Sequence, residues 1–146
     1  MQASQATAMS TTQAWLKGAS ALVIGFGAVV ALAAHPVSAG IVSFFADLAF
    51  WPVDGQQRIA TPEARLLSAI GGGVMAGWGV LLWLIATRLY AREPELARTM
   101  IALSIGTWFL VDSLGSITAG APLNAVLNVS FVALFLIPLW RGASDR

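Results

Sequence analysis

The stretch TMIALSIGTWFLVDSLGSITAG, residues Thr99 to Gly120, decides the fold. As a helix rising 1.5 Å per residue it crosses a ~30 Å hydrocarbon core. One carboxylate, Asp112, lies well inside it. An aspartate at the centre of a spanning helix costs about 2.5–3.5 kcal/mol on insertion scales. It must therefore face protein or water, and the rest of the chain is read by asking what meets it.

The composition requires lipid. The 146 residues are 58% hydrophobic and 10% charged, with mean hydropathy +0.78. Soluble domains carry about 25% charged residues, and a chain this short cannot hide so much apolar surface in one aqueous core. A net charge of +1, with scattered basic residues, does not suit nucleic acid. The absence of cysteine excludes thiolate metal sites, disulfides and cysteine nucleophiles. The single histidine, His35, excludes a haem held between two histidines of one subunit.

Four spans are expected, at about 17–35, 63–87, 98–119 and 122–140. Residues 1–15, rich in Ser, Thr, Gln and Ala, read as a disordered cytoplasmic arm. His35-Pro36 ends the first span, because the residue before a proline is pushed out of the α region. A lysine-bearing start, an apolar run and the small-residue end Val37-Ser38-Ala39 also fit a secretory signal. The length of the run and the membrane segments beyond it favour an uncleaved helix.

IVSFFADLAFW, 41–51, is apolar but too short to span, which suits an interfacial helix with its aromatic residues toward lipid. Asp54-Gly55 marks a turn. Thr61, Pro62 and Glu63 form a helix start: a cap, a first-turn proline and an acid at the positive end of the dipole. In the second span Ala69, Gly73, Ala76 and Gly77 make a small-residue stripe, a face for close helix packing against this chain or another. Pro94 starts the third span, Gly120-Ala121-Pro122 turns into the fourth, and 143–146 is a polar tail. The whole is an all-α, four-helix transmembrane bundle over 16–142 with a short interfacial helix after the first span.

Charge sets the expected orientation. Lys17, Arg88, Arg92, Arg98, Arg141 and Arg146 fall on one side of such a bundle, and only Arg58 and Arg65 on the other. Lys and Arg favour the cytoplasm, so both termini are expected there.

Asp112 then lies in the outer half, roughly 12 Å below Gly120, and Asn128 roughly 9 Å below the same surface. Ser116 is one turn from Asp112, and Asn124 one turn from Asn128. Arg65 enters near the same depth with a side chain long enough to turn inward. Asp112, Ser116, Asn124, Asn128 and Arg65 are thus a candidate polar cluster. It is either structural, fixing helix register, or functional, as a proton-responsive acid or the head of a ligand cavity. His35, at the end of the first span, can join that cluster or ligate a metal or porphyrin, though a lone interfacial His is more often neither. Trp15, Trp51 and Trp140 read as interfacial belt residues, and Trp78, Trp83 and Trp108 as deeper packing. No metal site, no phosphate loop, no HExxH motif and no inverted repeat of the transporter kind is found.

TPEARLLSAIGGGVMAGWG, an acidic-x-Arg start to a Gly-rich second span, and DSLGSITAGAP at the close of the third resemble small bacterial four-helix membrane proteins of the DoxX-like kind. The resemblance implies a bacterial inner-membrane protein, singles out Glu63, Arg65 and Asp112, and points toward quinone-linked oxidoreductase subunits. The residues themselves carry no cofactor motif, and an enzyme subunit whose catalysis is supplied by a partner stands as a third reading behind two non-enzymatic ones. The leading expectation is an accessory or assembly subunit of a membrane complex or homo-oligomer. The alternative is a binder or carrier of a small lipophilic molecule, a quinone or lipid, at the outer polar cluster. An inter-helix cavity reaching Asp112 favours the binder, and a packed bundle with an exposed Gly73/Gly77 face favours the assembly subunit.

Overall fold

In the computed structural model the backbone is described for residues 2–144 and the side chains for residues 11–140. The chain is all-helical: α1 (Gln2–Leu32), α2 (Ala39–Phe50), α3 (Pro62–Leu84) running into a π-helical turn (Ile85–Leu89), α4 (Pro94–Thr118) and α5 (Pro122–Ser144). Among the described residues four helices are long and apolar enough to cross a membrane: Thr11–Leu32, Pro62–Leu89, Pro94–Thr118 and Pro122–Trp140. Leu67, Val74, Leu103, Leu110, Val111 and Val129 are exposed on their outer faces. An apolar exterior of that extent belongs in lipid, and the protein is a multi-pass membrane protein.

The first span starts earlier than its composition suggests. Thr12 and Leu16 are buried, and Gln13 and Trp15, expected in a disordered arm, bond to other helices. The side chains of residues 1–10, and those of the 143–146 tail, lie outside the described residues.

Local chemistry sets the helix ends. Thr61 Oγ1 accepts the Ala64 N–H at 3.2 Å, with Pro62 in the first turn. Gly120, at φ +85°, closes α4: its N–H reaches Ile117 O at 3.1 Å, and Ala121 N–H reaches Ser116 O at 2.8 Å. That pair of bonds is the Schellman arrangement, which needs a left-handed residue and so favours glycine. Pro122 then begins α5.

α1 packs closely on α3, α4 on α5, and α1 on α5, while α2 lies against α5 and α1. The α1–α3 contact runs along small residues. A Cβ on Gly27 would meet Ala76 N at 2.5 Å, and one on Gly72 would strike Ala31 N and Gly27 O. A Cβ on Gly79 would lie 2.8 Å from Ile24 N. The close-packing face inside the chain is therefore Gly72, Ala76 and Gly79, one residue round from the expected stripe. Ala76 belongs to it, Ala69 is half-buried, and Gly73 and Gly77 have open space beside them.

The contiguous buried core fills the half of the bundle where the first span begins and the fourth ends, called here the base. It joins Leu16 and Val23, Leu82 to Tyr90, Ala97 to Ile105, and Phe135 with Leu139. Two interruptions of regular helix occur there, and each is repaired by a side chain of α1. In the π turn Tyr90 N–H bonds Ile85 O, which leaves Ala86 O without its usual partner. Gln13 Nε2 donates to that carbonyl at 2.9 Å. Pro138 has no N–H, so Leu134 O is left over in α5, and Trp15 Nε1 donates to it at 2.9 Å. Arg98 Nη2 donates to Leu139 O nearby.

Candidate functional site

The α4–α5 hairpin builds the polar cluster. Because the turn pivots at Gly120, residues equidistant from it in sequence face one another. Asn124 Nδ2 donates to Ser116 Oγ at 2.8 Å, and Asn128 Nδ2 to Asp112 Oδ2 at 2.6 Å. Asn124 Nδ2 also reaches Asp112 Oδ2, at 2.9 Å. Four of the five expected members, Asp112, Ser116, Asn124 and Asn128, thus form one connected group.

Ser113, which sequence reading missed, joins these four. Ser113, buried, accepts from Asn128 Nδ2 at 3.2 Å. It neighbours Asp112 in sequence, but a serine in a spanning helix commonly bonds its own backbone, so only the helix rotation marks it out.

Glu63, Arg65 and His35 stand apart. Glu63 is exposed in the first turn of α3 beside the Thr61 cap. Arg65 is half-buried with its Nε unpartnered, and none of its bonds reaches Asp112. His35 is exposed, and its Nδ1 accepts the Val37 N–H at 3.3 Å. None of the three lines the cavities described below. No group of three or more metal-ligating side chains occurs among the described residues.

Asp112 is where three hollows meet. The most enclosed, about 400 Å³, draws on all five helices: Phe26 from α1, Phe45 and Leu48 from α2, Met75 from α3, Trp108 from α4 and Phe131 from α5, with Asp112, Asn124 and Asn128 at its polar head. That size and that mix of apolar wall and few polar groups are ordinary for a small-molecule site. A groove between Trp78 and Trp108 and a second beneath Ala49 and Phe50 open sideways from the same carboxylate.

The hollow exists because α3 and α4 do not pack against each other at this end. They are bridged by Trp78, whose Nε1 donates to Ser104 Oγ at 2.7 Å and whose ring lies 5.7 Å from Trp108. From there a run of aromatic contacts lines the wall: Trp108 to Phe131 at 5.8 Å, Phe131 to Phe26 at 6.2 Å, and Phe26 to Phe45 at 5.4 Å. Trp83, in contrast, lies under the Lys17 ammonium, 5.7 Å from its ring centre, toward the base.

α2 is held over this end by its own acid. Asp47, the single acid of α2, is buried and accepts Gly55 N–H at 2.8 Å through Oδ2, with Gln57 N–H 3.5 Å from Oδ1. Ser43 Oγ accepts Ile59 N–H at 3.0 Å. These bonds tie the following loop to α2, with Gly55 at φ +77° making the turn. The aromatic residues Phe44, Phe50 and Trp51 stay exposed, as expected for an interfacial helix.

Compared with family models, curated proteins and solved structures, the chain matches none of them.

Proposed function

We propose that this protein binds a small lipophilic molecule between its helices, with the head group at Asp112 and the body along the aromatic wall. The observation that carries this reading is the 400 Å³ cavity that ends on the Asp112–Asn124–Asn128 cluster. A purely structural cluster would be sealed by packing, as the base is. Here the polar groups border open space, and the sideways grooves give a path from the lipid. On the Lys and Arg distribution the base faces the cytoplasm of a bacterial inner membrane and the cavity opens in the outer half. No residue in the cavity is arranged as a nucleophile with a base, so the reading is binding or carriage rather than catalysis.

A second reading rests on a separate observation. Gly73 and Gly77 lie on the exposed side of α3 with nothing beside them, which suits a second helix packing there as in an accessory or assembly subunit. The two readings use different faces and are compatible.

The test is native mass spectrometry of the protein released from mild detergent. A small lipophilic species should remain bound to the wild type and be lost from Leu127→Trp, which fills the cavity from its wall. If both proteins carry the same complement of small molecules, or none, the binding reading fails.

A further inference from the structure

An asparagine amide offers two N–H donors and one acceptor oxygen. Both donors of Asn124 are spent, on Asp112 Oδ2 and Ser116 Oγ, and both of Asn128 on Asp112 Oδ2 and Ser113 Oγ. Ser130, the hydroxyl on the cavity wall, gives its proton to Leu127 O at 2.6 Å. What remains unused is Asp112 Oδ1, Asn124 Oδ1 and Asn128 Oδ1. None of these oxygens accepts a hydrogen bond from a described residue, and none is among the sealed, unpartnered atoms. On Asp112, Asn124 and Asn128, the three polar side chains at the head of the cavity, only acceptors remain unused. No Lys, Arg or His side chain lines it.

Resting on the binding reading above, we infer that the ligand is a lipophilic amine. Its ammonium donates to Asp112 Oδ1 and the two asparagine oxygens, and its apolar body lies against Trp108 and Phe131. An ammonium carries three donors and no acceptor, which complements three unused acceptors. Its charge offsets the one carboxylate of the cavity, and the aromatic faces beside it attract cations. A head group that only accepts, such as a quinone carbonyl, finds no unused donor on Asp112, Asn124 or Asn128 and leaves the carboxylate unpaired. A carboxylate meets both the missing donors and the charge of Asp112.

The test is titration calorimetry of the full chain in nanodiscs, with empty nanodiscs subtracted, using three ligands on one naphthyl body: 2-(1-naphthyl)ethylamine, 2-(1-naphthyl)ethanol and 1-naphthylacetic acid. The amine should bind about tenfold more tightly than the alcohol, in keeping with a charge-assisted bond, and the acid should not bind. In Asp112→Asn the advantage of the amine over the alcohol should fall to about twofold or less. Equal binding of all three, or an advantage that survives Asp112→Asn, overturns the amine while leaving the cavity reading standing, provided Leu127→Trp removes the binding. No binding by any ligand, or binding indifferent to Leu127→Trp, overturns the cavity reading and the amine with it.

Discussion

The two ends of this bundle are built from the same four spanning helices, yet they treat leftover polar groups in opposite ways. At the base, a π turn and a proline each release a carbonyl, and Gln13 and Trp15 of α1 reach across to satisfy them. The apolar core there is continuous. At the other end the helices part, α2 covers the gap, and the acceptors of Asp112, Asn124 and Asn128 face a cavity. A buried polar group without a partner costs about 1–3 kcal/mol. The base thus satisfies the carbonyls that its helix breaks release, with Arg98 Nη1 left buried and unpartnered, whereas the other end leaves its acceptors open toward a cavity, the contrast on which the proposed binding rests.

Substitutions that separate the two regimes test this contrast, and the largest effect lies on the helix pair that holds both ends together. Gly72→Leu drives a side chain into the α1 backbone at Ala31 and Gly27, and should cost about 3 kcal/mol or more in reversible unfolding from mixed micelles. The same change one residue on, Gly73→Leu, should leave stability nearly unaltered, since that side is open. Equal costs would mean that the glycine face has been assigned to the wrong side of α3.

At the cavity, Asp112→Ala removes the acceptor for two asparagine amides. Hydrogen bonds between membrane helices average about 0.6 kcal/mol, and exposed donors can partly rehydrate, so a loss of about 1–2 kcal/mol is expected. A loss as large as that of Gly72→Leu would make the cluster a keystone of the fold rather than a ligand head.

The smallest effect is at the base. Trp15→Phe should cost about 1 kcal/mol by stranding Leu134 O. In a Pro138→Ala background the restored backbone amide reclaims that carbonyl, and the cost should fall by at least half in a double-mutant cycle. An unchanged cost would show that the indole contributes by packing alone.

Much of this was legible in the residues, and the limits have a physical cause. Hydropathy and length gave the four spans, because lipid tolerates no other arrangement of so apolar a chain. Depth along the helix matched Asp112 to Asn128 and gathered Ser116 and Asn124 into the same cluster, because a tight turn at Gly120 equates distance from the turn with depth. Rotation about the helix axis was not legible. In α3 the sets 69/73/76/77 and 72/76/79 are both small, and only the partner helix chooses between them. Rotation also hid Ser113, and it left Arg65 out of a cluster that its depth and reach allowed. The cavity itself is a gap between two helix pairs, α1–α3 and α4–α5, and no single segment of sequence encodes a gap. Asp47 binds the backbone of a loop ten residues away at most, a contact that its place in an apolar interfacial segment does not announce.

The contrast between the two ends is tested most directly by photolabelling the protein in nanodiscs with a small apolar diazirine and mapping the adducts by peptide mass spectrometry. Adducts should form on Leu48, Met75, Trp108 and Phe131, be absent from Leu82, Ile101, Ile105 and Phe135 at the base, and disappear from the first set in Leu127→Trp. Labelling confined to lipid-facing residues such as Leu67 and Val74, or equal at both ends, would contradict a binding cavity at Asp112.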